Sequence, residues 1–458
     1  MVMKMLYLST KSWLQIMQNS KTEKSDLLFL SNRSLKKILV QGVNINSLLS
    51  MNDLGLKAPI QKEIVFGVLR YFFFLDSNLS RYLKQDIKNK DTDVKLLILM
   101  GIYEIKFMRT PAYAAINETV DVCHRLGKTW AKGLVNAVLR KAAASETKLE
   151  NIEEDLPGWL SKKLDTNFPD HCQMIKKAFL IKPEMALRIN RNKISPADYK
   201  DKLEKAAISF RPSPFEDAIL LDEPKPSSGL PGWHDGEFSV QDLGAITLGH
   251  LFFAQINKGR DKEVKLLDAC SAPGGKLFHL MELLAFHRIN SSISALEISK
   301  QRIKTMCDLG KRLDHKVPVI QGDASASEWW DQKPFTHILV DAPCSSSGTI
   351  RRNPDIKLVL KEESLPLFQK KQLDILTNLW KKLCPGGLMF YSTCSLFDEE
   401  NDLLIHKFVN EEKDAEILKF TAPENVGNVL LTDYGCNLLP FDKMSDGFYC
   451  SLISKKAI

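Results

Sequence analysis

A chain of 458 residues, 44% hydrophobic and 26% charged, is long enough for about three domains and apolar enough to bury their cores. Its longest apolar stretch, Leu96 to Tyr103, is far short of the ~20 residues a membrane span needs, and 23 Gly and 20 Pro exclude a collagen-like or low-complexity chain. The net charge of +7 is unevenly placed: residues 1–150 hold 23 Lys+Arg against 13 Asp+Glu, residues 151–236 hold 13 against 14, and residues 237–458 hold 27 against 29. A basic first third on an otherwise neutral protein suits a polyanionic partner, although a solvated Lys-rich surface explains the charge equally well.

The first 22 residues contain basic but no acidic side chains. They lack the apolar core and small-residue cleavage site of a signal peptide, and they are Arg-poor for an organellar transit segment; the role of residues 1–30 is left open. From about 31 to 145 the pattern is helical. Val94, Leu97, Ile98, Gly101, Ile102 and Ile105 recur at three- and four-residue steps, as one buried helix face requires. Thr110-Pro111 ends that helix, another starts near Ala115, and a third runs from Ala131 to Ala144. The expected product is an all-α domain over 1–150 with a basic surface. Residues 146–155 are polar and acidic, as in a linker. Short apolar runs (Ala186 to Ile189, Ala218 to Leu221) around a helix-like stretch from Pro196 to Ala207 predict a small α+β subdomain over 151–232, closed by PKPSSGLPG.

Over 233–458 strands and helices alternate. VKLLDAC (264–270), SISALEI (292–298), VPVIQGD (317–323), HILVDAP (337–343) and LMFYSTC (388–394) read as strands, with helices from Lys276, from Ser299 and near Pro366 to Leu383. Such alternation predicts an α/β Rossmann-like domain with a mostly parallel sheet, whose ligands bind outside the carboxyl ends of the strands. The first of those ends carries Cys270-Ser271-Ala272-Pro273-Gly274-Gly275-Lys276. Paired glycines let backbone approach a ligand, and a helix start supplies unpaired N–H groups; this is neither a Walker loop nor a G-x-G-x-x-G turn. Glu297, Asp323 and Asp341 close the next three strands. One acid there caps a turn; three in succession suit a nucleoside, with ribose hydroxyls on the first and an amino group on the second.

Nine cysteines (123, 172, 270, 307, 344, 384, 394, 436 and 450) form no C-x-x-C. Their odd number and irregular spacing oppose a disulfide framework or a structural zinc site and suit a reducing cytoplasm. Single cysteines are usually buried small hydrophobes. Cys344 and Cys394, however, each follow a strand, so both thiols are expected in one crevice. Neither has a nearby His partner, which disfavours a thiol hydrolase.

LLDACSAPGGK, VDAPCSSSGTIRRNPDIK and FYSTCSLFDEEN resemble the three strongest motifs of the RNA cytosine-C5 methyltransferases. FMRTPAYAAINETVDVCHR and KGLVNAVLRK resemble the NusB-like RNA-binding domain fused to such enzymes, and SDGFYCSLISKK near the C-terminus is also family-like. The resemblance runs from about residue 31 to the end. It implies methyl transfer from S-adenosylmethionine to C5 of a cytosine in 16S rRNA by a monomer without metal. Cys394 would be the nucleophile, Cys344 would assist release, and Asp341 would bind the N3/N4 edge of the base. It further implies cofactor contacts from Cys270 to Lys276 and from Glu297, Asp323 and Asp341. Arg351 and Arg352 become candidates for RNA phosphate contacts. Ser271 stands where the family usually has Ala, and Glu297 where Asp is commoner. The same motifs serve transfer-RNA cytosine-C5 methyltransferases, the second reading within this class; the NusB-like fusion and NPDIK favour rRNA. A non-catalytic RNA-binding assembly factor is the reading from another class, opposed by the intact Cys344, Cys394 and Asp341.

Overall fold

The computed structural model describes residues 10–50, 59–108, 110–145, 152–258, 263–421, 426–441 and 445–457. The first nine residues of the open N-terminal segment and most of the expected linker at 146–155 lie outside them. The chain forms two compact units: residues 1–158 with 353–359, and residues 159–352 with 360–458.

The first unit is helical: α1 (Thr10–Gln41), α2 (Ile45–Ser50), α3 (Pro59–Arg70), α4 (Phe72–Tyr82), α5 (Thr92–Phe107), α6 (Ala112–Arg125) and α7 (Lys132–Ala144). α5 is buried all round, from Val94 through Ile102 save for the half-buried Lys95, as suits the central helix of a bundle. Gly101 on its expected inner face permits a close crossing, since a Cβ there would stand 2.7 Å from Leu139 of α7. Asn353–Val359 completes this unit from far along the chain. Leu358 and Val359 pack on the helical core, Asp355 accepts the Ile45 N–H at 2.9 Å, and the buried Lys357 ammonium reaches Asp155 Oδ1 at 2.5 Å and the Arg70 carbonyl at 2.7 Å.

The second unit starts with α8 (Gly158–Asn167) and α9 (Cys172–Leu180), then a small antiparallel sheet. Its strands β1 (Met185–Ile189), β2 (Phe210–Pro212), β3 (Ala218–Leu221) and β4 (Phe238–Val240) lie in the order β2-β3-β1-β4. α10 (Pro196–Lys205) packs with it; Ser195 caps α10 by accepting the Asp198 N–H at 3.1 Å, with Pro196 opening the first turn. β4 lies past residue 232 and joins this sheet because Leu187–Ile189 pair with Phe238–Val240.

The large sheet follows, with α11 (Leu243–Lys258), β5 (Val264–Ala269), α12 (Gly275–Phe286), β6 (Ser291–Glu297), α13 (Lys300–Leu313), β7 (Val319–Gln321) and β8 (Phe335–Asp341). After these come α14 (Leu365–Trp380), β9 (Leu383–Thr393), α15 (Asp402–Glu411), β10 (Ala415–Ile417), β11 (Val429–Leu431), β12 (Cys436–Leu438) and β13 (Phe448–Lys455). The strand order is β11-β12-β13-β9-β8-β5-β6-β7, with β10 on β13. β7 to β9 run parallel as expected, and β13, β12 and β11 add an antiparallel edge. Alternate residues of the central strands enter two cores: Leu266, Leu339 and Phe390 pack with α11 and α12, while Leu267, Ile338, Val340 and Met389 pack with α14 and α15. Burial on both faces explains their near-continuous apolar runs. Strand order reverses at β5, between β6 and β8, opening a crevice above its carboxyl end.

One histidine gives this unit an acid sensitivity. His279 of α12 is 1% exposed, and burial, assisted by the Arg188 and His250 charges, pushes its pKa down to about 4 although Asp217 lies beside it. The unfolded chain takes up this proton near pH 6.5 and the folded chain only near 4, so between those values the unfolded state binds more protons. Wild-type stability should therefore fall relative to His279→Gln as pH drops from 6.5 to 4, by up to about 1.4 kcal/mol per pH unit. Urea midpoints of the two proteins across this range check it; a gap that does not change with pH would contradict the assignment.

Candidate active site

The crevice is floored by the loop between β5 and α12. Gly274 adopts φ +99°, where a Cβ would stand 2.6 Å from the Phe278 ring, so glycine alone fits that turn. Gly275 then starts α12 and aims its free N–H groups at the crevice. Ser271 reaches down to Asp268 Oδ2 at 2.7 Å, so the hydroxyl that departs from the family's Ala serves the carboxyl beneath the loop. Burial pushes the Asp268 pKa up to about 7. The sequence reading passed over Asp268 as part of a strand; a carboxyl inside an otherwise apolar run was the available signal.

At the end of β6, Glu297 is 1% exposed and tied to the same loop. It accepts the Ala272 N–H at 3.3 Å and the Ser299 N–H at 3.0 Å and pairs with Arg302 at 3.3 Å. Asp323 after β7 is more open. It accepts from Ser325 and from Lys371 Nζ at 2.9 Å; burial alone would raise its pKa, but these donors hold it below the usual carboxylate range.

Beyond β8 and β9, which pair with Asp341 opposite Ser392, the two thiols meet. Cys344 Sγ and Cys394 Sγ are 3.4 Å apart, and Ser346 Oγ is 3.4 Å from Cys394. The Cys394 thiol is held below its ordinary value chiefly by the hydrogen bond from Cys344, against the effect of burial, with aid from Ser346 and the Lys276 charge. Cys344 is pushed well above its ordinary value by that same bond, by burial and by the neighbouring charges. The pair is therefore polarised, with Cys394 the more readily ionised sulfur and Cys344 the one that holds its proton more tightly. The source of the activation that Cys394 needs, which its sequence neighbourhood did not reveal, is across the crevice on other loops.

Lys276, grouped with the cofactor loop on sequence, places its ammonium 2.7 Å from Asp341 Oδ1. Burial acts to lower its pKa, but the Asp341 charge more than offsets it, so Lys276 stays cationic. Ser392 Oγ adds a 3.2 Å hydrogen bond to the same carboxylate oxygen. The crevice thus gathers Asp341, Lys276 and both thiols. Arg351 requires a correction. It is fully buried, with Nε 2.7 Å from Asp446 Oδ1 and Nη2 3.8 Å from Asp242, so it holds the loop after Cys344 in place rather than meeting a phosphate. Arg352, partly exposed, pairs with the same two acids at 2.7 Å.

Glu400 was not singled out on sequence either, although it sits in FDEEN just after Cys394. It is fully buried and joins both thiol-bearing loops: it accepts the Ser345 N–H at 2.9 Å from one and the Ser395 hydroxyl from the other, with Gln372 Nε2 at 2.9 Å. A buried carboxylate with three donors is well compensated, and it locks the loops in register.

Comparison with known proteins agrees with this arrangement. The family described as 16S rRNA methyltransferase RsmB/F matches residues 254–454, the NusB family matches 19–144, and the ferredoxin-like domain of RsmF/B-like methyltransferases matches 156–228. The chain is 32% identical over 443 residues to the probable ribosomal RNA small subunit methyltransferase B of Coxiella burnetii, covering 93% of this chain and 100% of the relative. It is 33% identical over 444 residues to ribosomal RNA small subunit methyltransferase B of Escherichia coli K12, covering 94% and 99%. Among solved structures, PH0851 superposes with a TM-score of 0.75 at 19% identity over 94% of this chain and 98% of that one. NSun6 from Pyrococcus horikoshii with SFG gives 0.55 at 18% identity over 66% and 99%. These two likenesses concern the fold.

Proposed function

This chain belongs to the 16S rRNA methyltransferase RsmB/F family, and from that premise we propose that it methylates C5 of a cytosine in 16S rRNA through a covalent bond from Cys394 to C6. The observation that carries the reading is the asymmetric thiol pair, Sγ to Sγ 3.4 Å, with Cys394 held below its ordinary value by Cys344, beside the Lys276–Asp341 pair.

Cytosine C5 is a poor nucleophile. Addition of the Cys394 thiolate to C6 turns the ring into an enamine-like nucleophile at C5. Asp341 hydrogen-bonds the N3/N4 edge and favours the protonated, electron-poor ring that the thiolate attacks, while Lys276 keeps Asp341 in position. S-adenosylmethionine, when bound, supplies an electrophilic methyl group. Loss of the C5 proton to a base then lets the C6–S bond break, returning the electron pair to Cys394 and restoring the aromatic ring. Cys344, whose Sγ lies 3.4 Å from Cys394 Sγ, assists that release.

The residues suit the cofactor. The Gly274-Gly275 turn and the start of α12 bring N–H groups to the crevice, and Asp323 offers a partly exposed carboxylate with spare lone pairs. Glu297 keeps acceptor capacity beyond its bonds to the loop, as a ribose contact requires. Asp323→Ala should weaken S-adenosylmethionine binding by about 1.5–3 kcal/mol, roughly 10- to 150-fold in Kd, the range for a hydrogen bond to a charged group. Titration calorimetry checks this, and an unchanged Kd would remove Asp323 from the site.

The test of the whole reading uses purified protein, labelled S-adenosylmethionine, and naked 16S rRNA beside bulk tRNA, with nucleoside analysis of the products. Label recovered as 5-methylcytosine from 16S rRNA alone is the expected result. Label in tRNA alone would overturn the substrate and keep the chemistry. Cofactor binding without transfer to either RNA or to a partly assembled small subunit would overturn the enzyme reading in favour of an assembly factor.

A further inference from the structure

The helical unit carries a second cleft that the reaction does not use. It lies between the segment after α4 (residues 83–91) and the start and outer face of α7, and encloses about 930 Å³, within the range of about 300–1,000 Å³ typical of ligand sites. Its floor is apolar, formed by Leu83, Leu134 and Val138, and its lip carries the Trp130 indole, 59% exposed. Lys84, Lys88, Lys90 and Lys141 ring it, all solvent-exposed and in no ion pair among the described residues. A fifth lysine, Lys128, neutralises one of the two aspartates present, Asp91, at 2.7 Å.

The exposed Trp130 indole beside an apolar floor offers a flat face on which an aromatic ligand can stack. Four unpaired ammonium groups around it choose the kind of ligand: one with a flat apolar face and negative charges spaced along a backbone. Single-stranded RNA has both, stacking its bases on aromatic side chains while lysines track its phosphates. We propose that this cleft captures an unpaired nucleotide of the RNA substrate, stacked on Trp130, with the flanking phosphates on Lys84, Lys88, Lys90 and Lys141. The proposal rests on the reading above that the substrate is RNA, and it assigns the basic charge of the first third a specific binding site. The base need not be the one methylated; the cleft anchors the strand.

The full-length protein is titrated into a fluorescently labelled, unstructured RNA oligonucleotide at several salt concentrations. Trp130→Ala should raise Kd by roughly 5- to 100-fold, the loss expected for one stacked base, and Trp130→Phe should recover most of the affinity. Lys88→Ala with Lys90→Ala should flatten the dependence of log K on log salt by about 1.4, two phosphate contacts' worth. Photo-crosslinking should mark the peptide containing Trp130. The exposed positions of all these residues make unfolding an improbable cause, and circular dichroism of each variant excludes it. Binding unchanged to within twofold in Trp130→Ala, or a crosslink confined to other peptides, would overturn the proposal. So would RNA-insensitive, saturable binding of an acidic peptide to the same cleft. The two readings fail separately: Trp130-dependent RNA binding by a protein that methylates nothing keeps the cleft and sinks the enzyme, whereas methylation with a binding constant indifferent to Trp130 does the reverse.

Discussion

Cys394→Ala is expected to abolish methyl transfer to RNA, with a loss of at least about 10⁴-fold in turnover, while S-adenosylmethionine still binds. The size follows from the role: without a sulfur to add at C6, C5 has no enamine character and the remaining groups can only position the reactants. Geometry limits collateral damage. Cys394 follows β9, its carbonyl still accepts the Gly348 N–H at 2.9 Å, and Glu400 fixes the loops through Ser345 and Ser395 rather than through either thiol. Radiolabel transfer and calorimetry on the same preparation check both halves. Turnover within tenfold of wild type would show that another group attacks the ring.

Cys344→Ala is expected to act at the opposite end of the reaction, trapping protein on RNA as an adduct that survives denaturing electrophoresis. The variant keeps the nucleophile, so addition and methylation proceed, but the thiol that aids departure of Cys394 is gone. A second effect follows from the shared hydrogen bond. Cys344 is the main group holding the Cys394 thiol below its ordinary value, so its removal should shift adduct formation to higher pH. The wild-type pair is reactive with Cys394 deprotonated; the variant must wait for a thiol closer to the ordinary ~8.5. A pH series of adduct yield distinguishes this from a simple release defect. Failure to accumulate any adduct under turnover conditions would remove Cys344 from release.

The parallel half of the sheet was legible because strands buried on both faces are nearly continuous in apolar residues, as Leu266–Leu267 of β5 and Ile338–Val340 of β8 are. Their chemistry was legible because everything useful in such a fold follows a strand end. What could not be read were pairings between distant loops. Arg351 looks like an exposed basic residue until Asp446, 95 residues away, is folded against it. Lys276 looks like part of a phosphate-type loop until β8 brings Asp341 within 2.7 Å. Glu400 shows no pattern of its own, since its function is to receive hydrogen bonds from two loops at once. Three-residue strands such as β4 are too short to display any periodicity, so the small sheet's true extent was hidden too.

The helical unit is assembled from two separate stretches of chain, the second being Asn353–Val359. A cut at Gly158 does not separate that unit cleanly, because part of its interior comes from two hundred residues further along the chain. For the same reason, a shortened protein beginning at Trp159 would retain Lys357 without Asp155 and Asp355 without the Ile45 amide. Deleting the first 158 residues is therefore expected to expose an unpaired lysine and an apolar turn in what remains.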